Sequence, residues 1–158
     1  EEKTNVMRTL EQKKIAYTPH EYPADGPVDG VSVAAYLNQD PEQVFKTLVT
    51  KGHDGEHRVF VVPCTGELDL KAAARAAGCK SVEMIHVKDI NAVTGYIRGC
   101  CTALGMKKEY PTIIHESALD CPYICVSAGK LGVQLKLSPQ DFIKATGAKA
   151  LDIIHHNS

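Results

Sequence analysis

No window of this 158-residue chain approaches the ~20 consecutive apolar residues that a membrane-spanning helix needs. The opening residues, Glu1-Glu2-Lys3-Thr4-Asn5, lack the pattern of a signal peptide, so a cytoplasmic protein with no membrane attachment is expected. An excess of either charge is also missing: 18 Lys and Arg face 19 Asp and Glu, a net charge of −1. That balance excludes a protein that grips nucleic acid through a broad basic face. Several chemical signatures are absent too. There is no P-loop and no dinucleotide GxGxxG, no G-x-S-x-G nucleophile elbow, no HExxH and no CxxC.

What is present suffices for a core. Hydrophobic residues make up 44% of the chain, which argues against disorder. A chain this long should bury roughly 68–70% of its unfolded surface, so a single domain over residues 1–158 is expected. The six cysteines are Cys64, Cys79, Cys100, Cys101, Cys121 and Cys125. Without a secretory signal they read as reduced thiols. Cys121 and Cys125 stand four apart and make a zinc site conceivable, but the vicinal Cys100-Cys101 pair is poorly shaped to chelate one ion. Cys64 and Cys125 fall in strand-like runs, where cysteine behaves as a small buried hydrophobe. No metal and no cofactor are expected. His155-His156 reads as a solvated tail.

Thr4 can cap a first helix with Val6, Met7 and Leu10 on one face. Tyr22 to Gly30 is the one strongly loop-like run and a candidate pocket-flanking loop, after which Ser32 can cap a short helix through Leu37. Asp40-Pro41-Glu42 starts a helical turn. Thr47–Thr50 and Val59–Val62 read as paired strands joined through Gly52-His53-Asp54-Gly55. Leu68 to Ala77 is helical and stops at Gly78, and Val87 to Val93 is a further helix candidate. Tyr96-Ile97, Thr112–Ile114, Tyr123–Val126 and Val133–Leu137 look strand-like, and Ser138-Pro139 opens a final helix closing at Gly147. Strands interleaved with short helices predict an α+β fold with a mixed sheet or barrel.

Lys46 can be a strand-edge lysine with its head in water, or a fixed cation beside a pocket that binds an oxyanion, a phosphate or a carbonyl. Gly95 to Gly105 carries three glycines, which suit a loop whose amides face a ligand or merely a bulged strand and turn. Ser127-Ala128-Gly129-Lys130 can present a hydroxyl and amides, or form a hairpin turn.

The order and spacing of these segments carry more. Asp40 to Leu48, Leu68-Asp69-Leu70-Lys71, Lys80 to Met84 and Thr94-Gly95-Tyr96 are followed by Leu104 to Lys108, Val126 to Lys130 and Ser138 to Asp141. Together, from about Leu10 to the final helix, they resemble the YbaK/EbsC family of free-standing bacterial Cys-tRNA(Pro) deacylases. That family is similar to the editing domain inserted in bacterial prolyl-tRNA synthetases. The resemblance implies a mixed β-barrel-like core wrapped by helices, with a small pocket for an amino acid esterified to the tRNA 3′ end. On that resemblance Lys46 is the essential lysine and Gly99 the glycine whose amide faces the scissile carbonyl. Tyr22, Phe45, Thr47 and Ser127 match positions around the bound aminoacyl-adenosine, and Gly129 belongs to the matching turn.

The implied activity is removal of cysteine mischarged on tRNA(Pro), with the substrate thiol attacking its own carbonyl. An aminoacyl ester is already activated, so positioning and donors at the carbonyl oxygen suffice. The alternatives are a deacylase for Ala-tRNA(Pro) or another small amino acid using water, and a non-catalytic aminoacyl- or nucleotide-binding protein. The chain departs from the family where Cys100 follows Gly99, beside the pocket, and where Gln134 stands in place of an acid that contacts the substrate amine. With so little net charge, lysines such as Lys46, Lys107, Lys108 and Lys130 are expected to meet only the terminal nucleotides. Discrimination between tRNAs is then expected to come from prolyl-tRNA synthetase as a partner.

Overall fold

The computed structural model describes residues 2–156. In chain order the first half holds α1 (Asn5–Gln12), β1 (Thr18–Glu21), α2 (Gly30–Tyr36), β2 (Phe45–Gly52), β3 (His57–Pro63) and α3 (Leu70–Ala77). The second half holds β4 (Val82–Met84), α4 (Ile90–Thr94), β5 (Thr112–His115), β6 (Ile124–Ser127), β7 (Val133–Leu137), α5 (Pro139–Thr146) and β8 (Lys149–Leu151). The strands form two sheets, an antiparallel one ordered β1-β7-β6 and a mixed one ordered β4-β2-β3-β5-β8.

The centre of the larger sheet is buried on both faces. Val59 to Val62 are each 0% exposed, and the pleat sends them alternately to two cores. Val59 and Val61 join Leu10, Phe45, Ile114, Leu135 and Phe142. Phe60 and Val62 join Ala73, Ala74, Ile113 and Ile153 under α3. An unbroken apolar run is what such a strand requires. Seven residue pairs, Phe45–Pro63 through Lys51–His57, lock β2 to it antiparallel, while β5 and then β8 add on in parallel.

The α+β class with mixed sheet and short helices is borne out. The sheets do not close into a barrel: the larger one ends at β4 and β8, each only three residues long. An isolated parallel bridge, Val44–Cys125, joins the two sheets. The expected caps are present at Thr4, which accepts from the Met7 N–H, and at Ser138, which accepts from the Asp141 N–H. Two expectations are corrected. Helix α2 is capped by Asp29, because Ser32 donates both its N–H and its hydroxyl to that carboxylate. Tyr96-Ile97 is not a strand, since the Tyr96 N–H is taken by the Thr94 hydroxyl oxygen and its phenol donates to the Leu104 carbonyl. Strand β1 tolerates Pro19 because it lies at a sheet edge.

Truncating the doubly flanked centre should be costly. Phe60→Ala is expected to destabilise the protein by about 3–5 kcal/mol, seen as a lower urea midpoint with an unchanged m-value.

Candidate functional site

Strand β2 begins where the two sheets meet, and its first residues face a cavity of about 230 Å³. Phe45, Lys46 and Thr47 form one wall, Val126 and Ser127 at the end of β6 another, and Gln134 of β7 contributes from the smaller sheet. The loop before α2 adds Tyr22, Val28 and Asp29, the first residue of α2 adds Gly30, and the loop after α4 adds Gly99 and Cys101. Seven residues singled out in the sequence thus share one cavity: Tyr22, Phe45, Lys46, Thr47, Gly99, Ser127 and Gln134.

Two do not line it. Cys100 is 2% exposed and turned into the protein, while the neighbouring Cys101 occupies the wall. Gly129 instead donates its N–H to the Ser127 hydroxyl oxygen at 3.1 Å. That hydroxyl in turn donates to the Cys100 carbonyl at 3.0 Å, so β6 holds the Gly99–Cys101 loop in place.

Lys46 is half-buried, and among the described residues its ammonium has no hydrogen bond or ion pair. Its field reaches the Cys64 thiol: burial pushes that thiol up, and Lys46 partly offsets the effect. A cation held on a rigid strand without a carboxylate partner is available to a developing negative charge. Gly99 has φ of 88°, a region that side chains rarely adopt, and a Cβ there would stand 3.3 Å from the Val28 Cγ1 atom. Its N–H likewise makes no hydrogen bond among the described residues. The cavity is therefore lined by an unpartnered ammonium at Lys46 and an unpartnered amide at Gly99.

Gln134 is 3% exposed and hydrogen-bonded in the cavity wall. It forms a reciprocal amide pair with Gln39, at 2.8 and 3.0 Å, and its Oε1 lies 3.1 Å from His20 Nδ1. Burial pushes the Tyr22 phenol up and lifts the Cys101 thiol to about 11, so both are neutral at physiological pH. Lys107, Lys108 and Lys130 do not line the cavity, and two of them have contacts of their own. Lys107 donates to the Ala92 carbonyl, and Lys108 sits over the Tyr110 ring.

The cysteines expected to be reduced are all free. Among the described residues the one cluster with metal-ligand spacing contains none of them, but joins His115, Asp152 and His156. There the Ser117 N–H donates to His115 Nδ1, which leaves the proton on Nε2, facing Asp152. His156, expected as solvated tail, is tied to the Asp152 carboxylate at 2.8 Å.

The pattern of the aminoacyl-tRNA editing domain matches residues 28–145. The chain belongs to that family. A curated relative from Enterococcus faecalis, assigned the name Cys-tRNA(Pro)/Cys-tRNA(Cys) deacylase EbsC, is 44% identical over 154 residues, covering 97% of this chain and 94% of its own. Solved structures share the fold. One, assigned as a trans-editing enzyme for prolyl-tRNA synthetase, has a TM-score of 0.83 at 22% identity, covering 98% of this chain and all of its own. Another, solved as a hypothetical protein, has a TM-score of 0.87 at 19% identity, covering 95% and 99%. The resemblance read in the sequence, and the editing-domain fold it implied, are borne out. The last strand-forming residues, Lys149–Leu151, lie beyond the matched segment.

The Tyr22–Gly30 loop flanks the pocket as expected, but sequence reasoning did not name Val28 or Asp29 within it, Cys101 as a wall residue, or Gln39 and His20 as partners of Gln134. Asp29 had a signal, as an N-cap candidate three residues before Ser32. The Gln39 and His20 contacts had none, being 95 and 114 residues from Gln134 in sequence.

Buried thiols give the editing domain an alkaline limit. Cys101 and Cys125 are raised from 9 in the ordinary thiol to about 11 by burial. Unfolding frees them to ionise, so their contribution is complete below about pH 9 and is lost as pH rises towards 11. The urea midpoint should fall across that window, and a midpoint flat from pH 8.5 to 11 would contradict the assignment.

Proposed function

We propose that this protein is a trans-editing deacylase that removes cysteine from mischarged tRNA(Pro), with Lys46 and the Gly99 amide acting on the ester carbonyl. The observation that carries the reading is the pairing of an unpartnered ammonium with an unpartnered backbone amide in one small cavity. Membership of the editing-domain family supports it, as does the name of the Enterococcus relative. The cavity accepts an aminoacyl group rather than the tRNA body, which suits a chain with net charge −1.

In the proposed reaction the substrate's thiol sulfur bonds to its own carbonyl carbon. Negative charge gathers on the carbonyl oxygen, where the Lys46 ammonium and the Gly99 N–H stabilise it. The bond from that carbon to the ribose oxygen then breaks, and the thiol proton ends on the ribose hydroxyl. The products are free tRNA and a β-thiolactone, which water opens to cysteine. Cys101 is not a competing nucleophile, because a thiol lifted to about 11 is almost wholly protonated at neutral pH. Requiring a thiol in the substrate also explains selectivity, since fit alone separates small side chains by only ~1–3 kcal/mol. Prolyl-tRNA synthetase, in the cytoplasm, is the proposed partner that supplies tRNA discrimination.

Lys46→Ala should lower kcat for Cys-tRNA(Pro) by about 10²–10³-fold with an unchanged thermal midpoint, by analogy with loss of an oxyanion donor. Unchanged turnover would remove Lys46 from the mechanism. A panel of Cys-, Ala- and Ser-charged tRNA(Pro), with and without the synthetase, fixes the substrate. The expected result is turnover of the cysteinyl ester alone, enhanced by the synthetase. Equal turnover of the alanyl ester points to water as nucleophile, and no turnover of any ester points to a binding protein.

A further inference from the structure

An aminoacyl ester carries a positive charge as well as a carbonyl. Its α-ammonium loses water on entering the cavity and needs acceptors there. Gln134 lines the cavity and is 3% exposed, yet its carboxamide oxygen already accepts from Gln39 Nε2 and lies 3.1 Å from His20 Nδ1. Its Nε2 donates to Gln39 Oε1, so this neutral amide is committed to the Gln39 pair and brings no negative charge to an ammonium.

The remaining anionic group is Asp29. It is the one carboxylate among the residues that line the cavity, and among the described residues it pairs with no cation. Its two oxygens accept at 2.9 Å each from the Ser32 N–H and the Ser32 hydroxyl. Those bonds fix the side chain and leave a further lone pair on each oxygen. They also hold the carboxyl below the usual carboxylate range, so it is ionised wherever the ester is stable. Lys46 lines the same cavity, and the fields of both groups reach the Cys64 thiol.

We propose that Asp29 binds the α-ammonium of the aminoacyl group, fixing the amine end of the substrate while Lys46 fixes its carbonyl end. This assignment rests on reading the cavity as an aminoacyl-ester site. Asp29 is exposed at the cavity mouth, so its pairing is partly screened and its effect is smaller than that of a buried ion pair.

The test compares two esters of tRNA(Pro), cysteinyl and 3-mercaptopropionyl. The second keeps the thiol and the carbonyl but has no amine. Asp29→Asn keeps a good helix cap while removing the charge, and Asp29→Ser is a second cap-preserving variant. Both should lower kcat/KM about tenfold on the cysteinyl ester, mainly through KM, and less than twofold on the 3-mercaptopropionyl ester. Equal losses on both esters would overturn the proposal and place Asp29 on the ribose or in a purely structural role. No loss on either would overturn it as well. A parent protein inert towards both esters would instead overturn the deacylase reading, and this assignment with it.

Discussion

The site depends on keeping a cation without a counter-ion at the meeting point of two sheets. An ammonium next to a carboxylate would be neutralised, and one on a mobile loop would retain its water. Lys46 avoids both because β2 is paired along its length to a strand that neither core can release. Val59 and Val61 anchor that strand on one side, and Phe60 and Val62 anchor it on the other. The apolar mass that stabilises the protein is thus also what orients its candidate catalytic group.

The second wall is held by polar bonds. The Ser127 hydroxyl bridges the Gly129 amide and the Cys100 carbonyl, tying the end of β6 to the loop that carries Gly99. The Gln39–Gln134 pair closes the floor beneath it. A cavity built this way presents donors at fixed positions and need not reorganise when charge develops on a bound carbonyl. Such preorganisation suits a reaction whose nucleophile and electrophile both arrive with the substrate.

Much of this was legible in the residues, and the remainder was not for physical reasons. The β2–β3 hairpin could be read because β-branched runs flank a glycine-rich turn. The helix ends at Gly78 and Gly147 and the caps at Thr4 and Ser138 follow local rules that span only a few residues. The three-residue strands β4 and β8 carry too little pattern to detect, and they exist because neighbouring strands offer them a ladder. Tyr96-Ile97 has strand-like composition, but a local hydroxyl takes its backbone donor. Within the site, Lys46 could be read from its residues as a cation beside a pocket or at a strand edge, and Gly99 entered only through the family resemblance. The contacts of Gln39 and His20 with Gln134 arise from long-range packing, which one sequence does not encode in any local signal. Cys100 and Cys101 show the same limit, since which of two adjacent thiols faces the cavity depends on the backbone turn between them.

The central claim is that the substrate supplies its own nucleophile and the protein supplies only charge and position. Its most direct test is deacylation of tRNA(Pro) charged with S-methylcysteine, followed beside the cysteinyl ester. Methylation retains the sulfur but removes the thiol. The account predicts that the methylated ester competes for the site without being turned over. Turnover at a rate comparable to the cysteinyl ester would contradict it and require water as the attacking group.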